Sequence, residues 1–113
     1  GGVTGVAHIT GGGLIKNPPR IYTDAFEMRL DMHQRPLPPV FQWLKQCGEL
    51  SNFELAQTFN CGIGMLISVT PKKADEVMAA VRVTGEDIWQ AGAIYERSGD
   101  DAVILENCAS AWA

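Results

Sequence analysis

The chain has 113 residues, 46% hydrophobic and 19% charged, and a formal net charge of −4. That length suits one domain able to bury roughly two-thirds of the surface its unfolded form exposes; the acidic balance argues against a nucleic-acid partner, and no apolar run approaches the length of a membrane span. Three cysteines (Cys47, Cys61 and Cys108) with no C-x-x-C spacing fit free thiols in a reducing, cytoplasmic setting and argue against a disulfide framework or a metal site.

The first residues, Gly1-Gly2-Val3-Thr4, lack both a methionine and the basic and apolar regions of a signal peptide, so the expectation is a stretch of a longer protein. Val3, Val6 and Ile9, with small residues between, predict a short strand that ends where Thr10 and three glycines begin. Leu14 to Asn17 predicts a helical turn that Pro18-Pro19 cuts short, because a residue before proline is pushed out of helical geometry. Glu27 to Asp31 alternates polar with apolar side chains and predicts a half-exposed strand.

Pro39 to Cys47 predicts a helix with Val40, Phe41 and Leu44 as its apolar stripe and Gly48 at its end. Ser51-Asn52-Phe53-Glu54 matches a capping box, starting a second helix that runs to about Thr58. A strand follows over Gly64–Val69. Thr70 as N-cap and Pro71 at the first helical position begin the clearest helix, with Ala74, Val77, Met78 and Val81 on one inward face and Gly85 past its end. Ile88–Tyr95 and Ala102–Leu105 read as two strands joined by a hairpin-like turn at Arg97–Asp101, and the tail from Asn107 carries little pattern. The fold class expected is α+β, a mixed β-sheet with packed helices, in a single domain over 1–113.

The residues that can carry chemistry gather near the start. Residues 1–23 hold Lys16 and Arg20 and no acidic side chain, whereas all thirteen acidic residues come later. A phosphate would be drawn to this segment before any other. Within it, Thr10-Gly11-Gly12-Gly13 lets successive backbone amides turn toward one point, a concavity suited to an anion, and equally suits a plain tight turn. Its spacing matches neither the dinucleotide fingerprint nor the P-loop. His8, just before the turn, is a candidate to donate to a phosphate or to shuttle a proton, or else a packed strand histidine. Asn60-Cys61-Gly62 sits between a helix and a strand; Asn60 either binds or holds the turn, and Cys61 is read as a buried structural thiol, since a nucleophile would need a base beside it. His33, Asp100 and Asp101 read as solvated loop residues, and the three tryptophans as packing.

Taken together, His8-Ile9-Thr10-Gly11-Gly12-Gly13-Leu14, Asn17, Pro19-Arg20, Pro39-Val40-Phe41-x-Trp43-Leu44 and Thr58-Phe59-Asn60-Cys61-Gly62-Ile63-Gly64-Met65 resemble the aminoimidazole ribonucleotide synthetase (phosphoribosylformylglycinamidine cyclo-ligase) family over about residues 6 to 106. The resemblance covers most of that family's C-terminal domain; its ATP-binding N-terminal domain, and the first strand and helix of the C-terminal one, have no counterpart here. It implies a parent enzyme of cytoplasmic de novo purine synthesis. ATP phosphorylates the formyl oxygen of formylglycinamidine ribonucleotide, the ribosyl-bearing nitrogen attacks that carbon, phosphate leaves and the imidazole ring closes. It further implies a homodimeric parent and a cleft between two domains. ATP and Mg2+ belong to the complete enzyme, neither being expected on this stretch, which alone would be inactive. His8 would be catalytic, and Thr10, Gly11, Gly12, Gly13, Arg20 and Asn60 would bind substrate.

Two residues depart from the family pattern. Lys16 stands where a glutamate is usual, and Pro18 where an isoleucine is. They favour, mildly, a different reading: a non-catalytic phosphate-ligand-binding or interaction module derived from the same domain.

Overall fold

The computed structural model describes residues 2–113; Gly1, part of the N-terminal stretch considered above, lies outside the described residues. Strand β1 (Val3–His8) runs into a four-residue helix, α1 (Gly13–Lys16), and a 3-10 turn over Pro18–Ile21. Then follow β2 (Phe26–Asp31), α2 (Pro39–Cys47), α3 (Asn52–Thr58), β3 (Met65–Val69), α4 (Ala74–Val83), β4 (Gly92–Glu96), β5 (Val103–Glu106) and α5 (Cys108–Ala111). The fold is α+β with a mixed sheet and packed helices, as the sequence predicts. The prolines at 18 and 19 do end α1 early, and Ser51 Oγ accepts the Glu54 amide at 3.1 Å, capping α3.

The strands make two sheets. β1 and β3 form an antiparallel ribbon in which His8 faces Met65 and Val6 faces Ile67. The other sheet has the order β4-β2-β5, with β4 antiparallel and β5 parallel to the central β2. The expected hairpin is therefore wrong: β2 lies between the two strands, and the strand predicted from Ile88 pairs only from Gly92 onward.

The connection from β4 to β5 crosses the start of β2 and is pinned there. Arg97 N–H donates to Ala25 O at 2.8 Å and Arg97 Nε to Phe26 O at 3.0 Å. Ser98 donates twice to the Glu27 carboxylate, from its N–H at 2.7 Å and its hydroxyl at 3.1 Å. Arg29 Nε donates to the other Glu27 oxygen at 2.9 Å. Glu27 is fully buried, not on the solvent face that its alternating neighbours suggest. A buried carboxylate persists only when such donors replace water.

The Ser98 amide, then the Arg29 side chain, hold the Glu27 carboxyl below its ordinary value near 4.5. A carboxyl depressed in the folded state stabilises it above the unfolded value, and that contribution disappears as pH falls through the folded one. The wild-type unfolding midpoint is thus expected to fall on acidification below about pH 4.5. Urea titrations of Glu27→Gln should show a lower midpoint at neutral pH and a shallower acid decline; parallel declines in the two proteins would refute the assignment.

The core holds Ile9, Leu14, Met28, Leu30, Met32, Leu37, Leu55 and Trp112 among its buried side chains. Trp112 comes from the unpatterned tail, where α5 follows the left-handed Asn107 (φ 60°) and Lys45 Nζ donates to the Trp112 carbonyl. The inward face of α4 is only half-buried, and Thr70 makes no side-chain cap; Pro71–Lys73 instead form a 3-10 turn ahead of the helix. Val40, expected in the stripe of α2, is exposed, because the helix turns Phe41 inward instead, its ring 6.0 Å from that of Phe59, the residue that ends α3.

Candidate functional site

Antiparallel pairing of β1 with β3 puts the end of one strand beside the start of the other. Ile9 N–H donates to Gly64 O at 2.9 Å. The segment after β1, Thr10–Gly13, and the loop before β3, Asn60–Gly64, therefore lie at the same end of the ribbon. Ile9 and Leu14, both buried, anchor the glycine run at its two ends. α1 packs against α3, so the run has a fixed base.

The backbone donors of the run divide into two groups. Thr10 N–H donates to Asn17 Oδ1 at 2.7 Å, and Gly13 N–H to Thr10 O at 2.9 Å. Gly12 O accepts from Lys16 N–H at 3.2 Å. Among the described residues, the amides of Gly11 and Gly12 have no protein acceptor. Two amides of the run thus remain without a partner, fewer than a run of three glycines after Thr10 suggests.

The three glycines have different surroundings. Gly11 is exposed, and a Cβ there would meet nothing within 4 Å. A Cβ on Gly12 would lie 2.9 Å from Lys16 Cβ and 3.0 Å from Asn17 Nδ2. Gly13 is buried with φ +62°, and a Cβ there would lie 2.2 Å from Ala56 O. Gly13 belongs to the packing of α1 on α3, Gly11 is open, and Gly12 lies half-buried against Lys16 and Asn17.

Lys16 is exposed and stands over Gly12, four residues on. Arg20 is exposed in the 3-10 turn; its N–H donates to Asn17 O at 3.2 Å, and its guanidinium has no partner among the described residues. His8 is exposed at the end of β1 and lines a neighbouring cleft of about 840 Å3, which the glycine run does not line. That cleft has a floor of Met32, Leu37, Leu66 and Trp112. On its rim Arg35 pairs with Asp87 at 3.0 Å and lies 4.7 Å from the Trp89 ring centre. His33 is exposed and hydrogen-bonds Ser110 Oγ.

Asn60 holds its own turn: Oδ1 accepts the Gly62 amide at 2.9 Å and the carbonyl accepts that of Ile63 at 3.0 Å. The turn passes through left-handed backbone at Cys61 (φ 55°) and Gly62 (φ 93°). Cys61 is buried, its thiol near the carbonyls of Leu55 and Phe59 at 3.8 Å. Burial first, and Cys108 second, push that thiol up to about 12, so it stays protonated and is no nucleophile near neutral pH. All three cysteines are free.

The residue that binds this region together is Asn17, fully buried. Its place seven residues beyond Thr10 was visible in the sequence, but local reading treats an asparagine before two prolines as a turn residue. Among the described residues, no helix is long and apolar enough to cross a membrane, and no group of three or more His, Cys, Asp or Glu side chains is placed to hold a metal.

The ribbon, the two short helices and the glycine turn between them define a recognisable class of domain. Residues 1–104 match the family described as AIR synthase related protein, C-terminal domain, and the chain belongs to that family. Among curated proteins, it is 46% identical over 104 residues to a phosphoribosylformylglycinamidine cyclo-ligase of Burkholderia pseudomallei, and equally to one of Burkholderia mallei. It is 44% identical to the protein of the same name from Burkholderia cenocepacia. Each match takes in 91% of this chain and 30% of the relative's length.

Proposed function

We propose that this chain is the substrate-side portion of an ATP-dependent cyclo-ligase that converts formylglycinamidine ribonucleotide to aminoimidazole ribonucleotide in cytoplasmic purine synthesis. The observation that carries this reading is the pair of unpartnered amides at Gly11 and Gly12, under Lys16, in a segment with no acidic side chain. Two N–H donors on successive residues and a lysine on the same turn suit the 5′-phosphate of a ribonucleotide. Thr10 precedes those amides, and we assign Asn60, from the loop at the same end of the ribbon, and Arg20 as further contacts to the ribonucleotide. His8, at the adjoining cleft, is assigned the proton transfer that ring closure requires: the attacking nitrogen must lose a proton as the new C–N bond forms and phosphate departs.

ATP and Mg2+ supply the phosphoryl group that turns the formyl oxygen into a leaving group. Residues 1–23, which carry the glycine run, offer no carboxylate to a magnesium ion. We therefore assign ATP and its metal to the part of the protein corresponding to the remaining length of the relatives, and with it the dimer contacts of the parent.

The test is turnover. The complete protein, given ATP, Mg2+ and formylglycinamidine ribonucleotide, is expected to release phosphate and aminoimidazole ribonucleotide in equal amounts, and the 113-residue chain alone to release neither. Ribonucleotide binding by the complete protein without ATP-dependent ring closure would favour the non-catalytic module. Ring closure by the isolated chain would overturn the division of labour.

A further inference from the structure

We propose that Asn17 is the positioning residue of the glycine run: it draws the Thr10 amide away from the ligand and leaves those of Gly11 and Gly12 to receive an anion. This deepens the reading above and rests on it for the identity of the ligand.

The side chain is fully buried and reaches back seven residues, its Oδ1 accepting the Thr10 N–H at 2.7 Å. Only an oxygen can accept there, so the carboxamide has one orientation, and Nδ2 is turned toward Gly12. The backbone of the same residue adds two ties. Its N–H donates to Gly13 O at 3.4 Å, and its carbonyl accepts the Arg20 amide at 3.2 Å. One residue thereby fixes the start of the run, its end and the turn that carries Arg20.

Nδ2 is buried and has no acceptor among the described residues. An unpartnered buried donor is uncommon and needs a reason. Here it lies beside Gly12, whose amide, like that of Gly11, lacks an acceptor among the described residues. Three donor nitrogens without acceptors among the described residues, in a segment that carries Lys16 and no acidic side chain, give the turn a positive potential that an anion outside it would satisfy. Nδ2 does not touch the ligand in this arrangement; it acts through the field it contributes and through the shape it imposes on Gly12. A carboxylate in its place would keep the acceptor for Thr10 and reverse the sign of that field. The requirement is thus for an amide, which a purely space-filling residue would not show.

The first experiment uses wild-type 113-residue chain and inorganic phosphate, followed by amide NMR. Gly11 and Gly12 are expected to shift on titration while Thr10, held by Asn17, stays in place and exchanges slowly with solvent. The second uses the complete protein. Asn17→Ala is expected to raise KM for the ribonucleotide by about tenfold, and Asn17→Asp by more, each leaving kcat and the KM for ATP within about twofold. Equal KM values in wild type and both variants would overturn the proposal, as would an Asn17→Asp protein indistinguishable from wild type. So would a loss of kcat and both KM values in step with the unfolding midpoint, the signature of a structural role. Should the variants fail to fold, the NMR experiment still decides: Thr10 moving together with the glycines, or none of the three moving, refutes it. A phosphate response of the glycines in a complete protein that performs no cyclisation would sink the enzymatic reading and leave the role of Asn17 standing.

Discussion

Gly13→Ala is expected to cost on the order of 3–5 kcal/mol of folding stability, combining backbone strain with overpacking. The residue sits at φ +62°, where a Cβ is strained in any surroundings. The added carbon would also lie 2.2 Å from Ala56 O and 2.8 Å from the Gln57 carbonyl carbon. These are backbone atoms of α3, so no side chain can rotate out of the way. Relief would require α1 and α3 to part, and both are held by fully buried residues, Leu14 on one and Leu55 and Ala56 on the other. Against a typical total of about 5–15 kcal/mol for a small domain, such a loss is severe. Urea unfolding of the 113-residue chain followed by tryptophan fluorescence measures it. A midpoint unchanged from wild type would show that the helix pair adjusts, and that the contact does not determine the packing.

The same neighbourhood shows what a sequence can and cannot display. The ends of α2 and α3 are legible because local chemistry decides them: Pro39 opens one helix, Ser51 caps the other, and Gly48 lies between them. The glycine run is legible as a turn for the same reason. Its division of labour is not, because Gly13 is constrained by Ala56 and Gln57, more than forty residues away. Of its four amides, that of Gly13 closes the turn on Thr10 O, and that of Thr10 goes to the buried Asn17 side chain, a partner that only the fold reveals. The β4–β5 pair is a sharper case. Two strand-like stretches around Arg97–Asp101 give every local sign of a hairpin, yet the edges of β2 take both strands, and the buried Glu27 carboxylate binds the crossing chain through Ser98. Alternation along β2 marks Glu27 as solvent-facing; only the presence of Ser98 and Arg29 beside it makes burial tolerable. Trp112 has no periodic neighbours at all, and enters the core because α5 packs back on the 3-10 turn over Met32–Gln34, where His33 hydrogen-bonds Ser110 and Asn107 donates to Asp31.

Gly11→Val separates ligand binding from folding more cleanly than any other change in the run. Gly12→Val would also push on Lys16 and Asn17, and would disturb the turn and the ligand together. At Gly11 the backbone is not in the left-handed region, and a side chain would meet nothing within 4 Å. Removing a glycine there narrows the unfolded ensemble, so the unfolding midpoint of the isolated chain should hold or rise slightly. The branched side chain would occupy open space on the residue that carries one of the two unpartnered amides. If that space receives the 5′-phosphate, the complete protein should show KM for the ribonucleotide raised about tenfold or more, with KM for ATP unchanged, because uniform binding of one substrate has been weakened. Unchanged values for both substrates, in a protein of undiminished stability, would leave the glycine run with one task only, which is to bring α1 down onto α3.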